Sequence, residues 1–195
     1  LMSQQGSDLF RYLTQVNPEA TLSALERVFN NLDVDELRNG IAYRRNIVWS
    51  LENLCFWDYT FQRAARLLLN FAEAENETWG NNATNQFLQL FHIYLSGTQA
   101  NPSKRIELID EILQAKSYEK KVLAIKALGS ALESHHFIRT AGVETQGARF
   151  PTSDWRPQKW FEIFDYSRDA LNRLTKIASN EDQRLATLAR HEIAN

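Results

Sequence analysis

Apolar residues recur along this chain at the three- and four-residue spacing that places side chains on one face of a helix. The densest stretch runs from Trp49 to Leu113. Within it Phe61, Ala64, Ala65, Leu68, Phe71 and Ala72 form a stripe, and Leu67 and Leu69 widen that stripe beyond one face. A helix apolar on most sides must be covered on most sides, so this segment is predicted to be central. Before it, Leu9, Phe10 and Leu13 mark a short first helix, and Leu22, Leu25, Val28 and Phe29 a second. A third runs from Ile41 to Phe56, with Ile47, Val48, Leu51, Leu54 and Cys55 inward. After it come Phe87, Leu90, Phe91 and Tyr94, then Ile106, Ile109, Ile112 and Leu113, then Val122, Ile125, Leu128 and Leu132. Trp160, Phe164, Leu171, Leu174 and Ile177 predict a long helix over 158–179, and Leu185, Leu188 and Ala189 a last one.

Polar residues between these stripes supply helix starts. Asn17-Pro18 and Asn101-Pro102 each combine an Asn cap with a proline at the first helical position. Asp33 to Glu36 and Asn180 to Gln183 have capping-box spacing. Ser7 or Asp8, Asp58, Asn82 or Thr84, and Ser117 are further candidate caps, while Asn39-Gly40 and Gly97 read as stops. The starts at Asn17, Asp58 and Asn101 lie about 40 to 44 residues apart, the period of two-helix HEAT or armadillo units. The expected fold is therefore all-α: an α-solenoid of HEAT/armadillo-like antiparallel helix pairs forming one domain over 1–195, with an irregular helical bundle as the alternative.

Composition supports helix and narrows the function. The chain has 195 residues, 44% of them hydrophobic, with only seven Gly and four Pro. A net charge of −2 gives it no general electrostatic footprint for nucleic acid. One cysteine, Cys55, precludes an internal disulfide and agrees with a reducing, cytoplasmic setting. No stretch approaches the roughly 20 apolar residues of a membrane span. Met2 after Leu1, and an ending in mid-pattern at Asn195, suggest a piece of a longer protein.

Catalytic signatures are wanting. Neither a phosphate loop nor a G-x-G-x-x-G fingerprint occurs, so no nucleotide cofactor is expected. His135-His136 are adjacent and point apart, which suits helix-end residues better than a metal site. Cys55 sits among Leu51 and Leu54 as a small hydrophobe, without a base at helical spacing. Glu52, Glu73, Glu75, Asp110 and Glu111 alternate with cations as solvated helix faces do. Asn76 and Asn82 fit the glycosylation pattern, yet serve more simply as turn and cap residues.

The helical pattern lapses over 135–157, and long loops in compact domains tend to be functional or disordered. This one carries the candidate binding residues Arg139, Arg149, Phe150, Trp155 and Arg156, beside Phe137, Gly142 and Gly147. Arg and Trp are the residue types most often found at binding hot spots. The competing reading folds Phe150 and Trp155 back as a lid over the last helices and leaves the arginines as surface charge. Glu144 and Asp154 dilute the basic character, which makes nucleic acid the minor partner.

Three segments, residues 50–91, 94–113 and 154–171, resemble the helical-repeat region of very large bacterial ATP-binding proteins of the STAND type, several of them antiphage defence proteins. The turn Trp79-Gly80-Asn81-Asn82 and the stretch Asp154-Trp155-Arg156-Pro157 carry the resemblance most specifically. It implies a C-terminal α-solenoid sensor that binds a trigger and controls a separate ATPase and effector. No ATPase motif of that family has a counterpart here, so no catalytic residue is implied. The expectation is a non-catalytic, cytoplasmic repeat domain that binds a protein partner, other domains of its parent chain or a ligand. A HEAT-like DNA-binding or repair protein and a purely structural spacer are the alternatives.

Overall fold

The computed structural model describes residues 4–133 and 152–195. These residues are all-α, with ten helices and no strand among them: α1 (Gln4–Val16), α2 (Pro18–Phe29), α3 (Val34–Asn39), α4 (Arg44–Cys55), α5 (Phe61–Glu73), α6 (Ala83–Gln89), α7 (Pro102–Leu113), α8 (Tyr118–Leu132), α9 (Trp160–Ala178) and α10 (Gln183–Ala194).

Most helix starts follow from their caps. Asn17 accepts from the Ala20 amide at 3.1 Å, and Asn101 from the Lys104 amide at 3.0 Å, each just ahead of a proline. Asp33 and Glu36 close a full capping box, with bonds of 2.8 and 2.9 Å. Ser117 caps α8, and Asn82 caps α6 through the Asn85 amide.

Five starts or stops differ from the pattern. The first helix already begins at Gln4, so the candidate caps Ser7 and Asp8 lie inside α1. The helix expected from Ile41 begins at Arg44, because Tyr43 adopts a left-handed φ of 59° that a helix cannot continue. Asp58 does not cap α5; Thr60 occupies the cap position and spends its hydroxyl on the Leu54 carbonyl at 2.5 Å. The helix expected to reach Gly97 ends at Gln89, where amides of Phe91 and His92 turn to carbonyls three residues back. Leu95 and Gly97 then take left-handed φ values of 54° and 70° in a turn rather than at a helix end. Finally, Asp182 rather than Asn180 caps α10, accepting from the Arg184 and Leu185 amides.

The chain groups into two compact units. In the first, α1 pairs with α2 and α4 with α5; α1 lies on α4 and α2 on α5, with α3 against α5. The central character expected of α5 is realised: its Phe61, Ala64, Ala65, Leu67, Leu68, Leu69, Phe71 and Ala72 are all buried. Phe29 meets Phe71 edge-on at 5.3 Å, and Arg63 of α5 holds Glu19, Ser23 and Glu26 of α2. The strap at residues 97–100 returns to this unit, where the Gln99 amide donates to the Phe56 carbonyl at 2.7 Å.

Arg44 is buried at the start of α4. Its guanidinium donates to the carbonyls of Leu37 (2.7 Å) and Phe71, stands 3.8 Å from both Glu75 and Glu77, and covers the Phe71 ring. Burial lowers its pKa, and the two glutamates oppose that shift.

The second unit is built from α7 paired with α8 and α9 paired with α10, with α7 against α9 and α8 against both α9 and α10. Its core takes Leu108 and Ile109 from α7, Ala124, Ile125 and Leu128 from α8, Ala170 and Leu174 from α9, and Ala186 and Ala189 from α10. Gly129 lets α10 come close: a Cβ there would lie 3.3 Å from the Glu192 Cβ and would force the Glu192 carboxylate to move aside.

Replacing Arg44 with Ala leaves two helix carbonyls and two acidic side chains without their shared cation. The expected loss is about 3–5 kcal/mol of unfolding free energy. Urea denaturation followed by circular dichroism measures it, and an unchanged midpoint would contradict this account of Arg44.

Candidate interaction surface

The end of the predicted loop that the structure describes is an anchor. Trp155 is half-buried, and the guanidinium of Arg105 lies 5.6 Å from its ring centre. Arg105 itself is fully buried on α7 and donates to the His92 carbonyl at 2.8 Å. Tyr166 of α9, also buried, donates its hydroxyl to the adjacent Phe91 carbonyl at 2.7 Å. Those carbonyls became available when α6 stopped at Gln89, so the arginine and the tyrosine take over the role of further helical turns. Burial pushes the Tyr166 hydroxyl up to about 12. Trp155 therefore lies against Arg105 of α7, whereas the lid expectation placed it with Phe150 over the last helices. Arg156 is exposed, with its carbonyl accepting from the Gln158 side chain. Arg139, Arg149 and Phe150 lie outside the described residues.

Just past this anchor, α9 carries two apolar stripes at helical spacing. Tyr166, Ala170 and Leu174 face the core. Trp160, Phe164 and Leu171, which helped predict the helix, are exposed, Trp160 by 76% and Phe164 by 64%, with Phe161 beside them. Lys159 stands over the Phe161 ring at 5.7 Å. A cluster of large aromatic side chains on the surface is what protein-binding sites present.

In the first unit α1 also leaves apolar residues in water. Its inward residues are Ser7 and Thr14, both buried, which receive hydrogen bonds from Asn46 (2.9 Å) and Asn53 (3.3 Å) of α4. Leu9, Tyr12, Leu13 and Val16, at positions i, i+3, i+4 and i+7, point to solvent, with Tyr12 63% and Val16 73% exposed. Ser7 and Thr14, with Phe10 half-buried between them, seat α1, while Leu9, Tyr12, Leu13 and Val16 stay open. A cavity of about 300 Å³ also opens in this unit, lined mainly by Val28, Phe29, Leu32, Ile41 and Ile47.

Both outward stripes are legible in the sequence as helical spacing. What the spacing lacks is the information that a second stripe, or a small polar face, would win the core. Among the described residues no cluster of three or more His, Cys, Asp or Glu could hold a metal, and no helix is long and apolar enough to cross a membrane. Cys55 is buried, as its apolar neighbours suggested.

The class that fold and surface define is an all-α protein of paired helices with exposed apolar helix faces. The chain matches no family model, no curated protein and no solved structure.

His92 gives this region a pH response. It is buried 3.7 Å from Glu133; burial lowers its pKa from 6.5, nearby Arg105 lowers it further, and Glu133 opposes both. The unfolded chain then binds a proton more readily than the folded one. Stability is complete above pH 6.5 and is lost as pH falls from there toward the lowered folded value. Unfolding midpoints measured between pH 7.5 and 5 should drop more steeply for the native protein than for His92→Gln. Parallel profiles would refute this role for His92.

Proposed function

We propose that this chain is a non-catalytic helical binding module whose exposed helix faces capture a protein partner. The observation that carries this reading is the Trp160, Phe161 and Phe164 cluster on α9. Three aromatic side chains left in water forgo a large share of the hydrophobic stabilisation available to them. Covering them on a partner recovers it, and Trp and Tyr anchors dominate the energetics of such contacts. The inverted α1, with Leu9, Tyr12, Leu13 and Val16 outward, supplies a second strip of the same character on the first unit.

The packing supports a solenoid-like architecture for the module. In each unit two consecutive helix pairs stack first helix on first and second on second, which is how HEAT-type repeats bury a continuous core. On this reading the chain acts like the sensor region of the STAND-type proteins whose segments it resembles, in a bacterial antiviral protein where ATP hydrolysis belongs to another domain. Partner capture needs no chemistry from this chain.

Trp160→Glu combined with Phe164→Glu changes only exposed positions, where substitutions usually shift stability within about 0.5 kcal/mol. Helicity and melting temperature should therefore hold. Retention of protein partners from the native host on the immobilised protein should fall at least about tenfold, since two hot-spot side chains of about 2 kcal/mol each are removed. Equal retention by the variant and the native chain would sink the proposal for α9.

A further inference from the structure

The second unit contains a cavity unrelated to the aromatic cluster. It measures about 230 Å³ and opens where the end of α7, the first half of α8, the last turns of α9 and the start of α10 converge. Its walls carry the cations Lys121, Arg173 and Lys176 against a single carboxylate, Asp110. This is an unusual concentration of positive charge for a chain whose net charge is −2.

The carboxylate is already committed. Asp110 receives both Nε and Nη2 of Arg173 at 2.6 Å, a bidentate pair, while Nη1 donates to the Asp169 carbonyl at 2.9 Å. The bonds to Asp110 raise the Arg173 pKa, and together with the Asp169 carbonyl they fix its plane against the cavity, with one N–H left on each terminal nitrogen. Lys121 and Lys176 have no ion-pair partner among the described residues, and they reach the cavity from different helices, α8 and α9. Gln114 and Asn180 add amide donors, and Ile125 and Leu185 form an apolar wall.

We propose that this cavity is a binding site for a small phosphomonoester, with the phosphoryl group between Lys121, Lys176 and Arg173 and a short apolar substituent against Ile125 and Leu185. Two uncompensated ammonium groups balance a dianion, which a phosphomonoester is near neutral pH and a carboxylate is not. The cavity is smaller than the about 300 Å³ at which sites for drug-sized ligands begin, so the ligand is small. A group held by Lys121 and Lys176 bridges the α7/α8 pair to the α9/α10 pair, so binding stabilises the fold by mass action.

Phenyl phosphate is the probe, titrated calorimetrically and by thermal melting against benzoate and against sodium chloride at matched ionic strength. Phenyl phosphate should bind saturably and raise the melting temperature, and benzoate should bind more weakly. Lys121→Gln with Lys176→Gln should weaken phenyl phosphate by at least about tenfold, since a hydrogen bond to a charged group contributes about 1.5–3 kcal/mol. Lys176→Gln, at an exposed position, should give part of that loss, while Lys126→Gln, on α8 away from the cavity, should leave binding unchanged. Benzoate binding as tightly as phenyl phosphate would overturn the dianion assignment. Phenyl phosphate acting no more strongly than chloride, or equally on the double-lysine variant, would overturn the site.

Discussion

Two buried arginines hold helix ends that the rest of the structure is built against. Every helix leaves carbonyls unbonded at its C-terminus, and a buried carbonyl without a donor is costly. Arg44 supplies donors to Leu37 near the end of α3 and to Phe71 near the end of α5, with Glu75 and Glu77 balancing its charge. Arg105 does the same for His92, beyond the end of α6, and carries Trp155 on its face. A guanidinium suits this work because its donors lie in one plane and its charge persists even where burial disfavours it. In the first unit this ties the start of α4 to the last turns of α3 and α5. In the second it fixes the irregular segment against which Tyr166 and Trp155 are placed.

With the helix ends secured this way, a helix can dock by a face that is not its most apolar one. α1 is the clearest instance, seated on α4 by Ser7, Thr14, Asn46 and Asn53 while its leucines, tyrosine and valine stay in water. α9 divides its two stripes between the core and the surface. Such arrangements are poor choices for a protein that acts alone, since large exposed apolar patches invite association. They agree with the partner-binding role proposed for this chain. The cationic cavity among α7 to α10 adds an electrostatic feature of another kind, one matched to a small anion rather than to a protein face.

The candidate surface was only partly legible in the residues. Trp155 stands out in the sequence as an aromatic in an irregular stretch, but its contact with the buried Arg105 of α7 joins residues 50 positions apart and is invisible there. Trp160 and Phe164 are visible as part of a helical pattern, but the pattern does not say which way they face. Periodicity identifies which residues share a face, but two stripes on one helix compete, and small residues such as Ala170 let α9 approach its neighbours closely where Trp160 could not. Lys121, Arg173 and Lys176 lie on two different helices and 55 residues of chain span them, so no local pattern could bring them together.

The sequence by itself determined the helices and most of their starts. The Asn-Pro pairs, the Asp33 capping box and the Ser117 cap are local devices, complete within four residues, and they work in any tertiary setting. It also determined that α5 would be covered on most sides, since no single face could bury Leu67, Leu68, Leu69 and Phe71 together. Only the tertiary structure decided where α6 stops, which stripe of α9 goes inward, and that α1 docks by its polar face. Each of those outcomes turns on a partner distant in the chain: Arg105 for the His92 carbonyl, Tyr166 for the Phe91 carbonyl, Asn46 and Asn53 for Ser7 and Thr14. Buried polar groups must find partners wherever the fold provides them, and that requirement overrode the hydrophobic pattern at these three places.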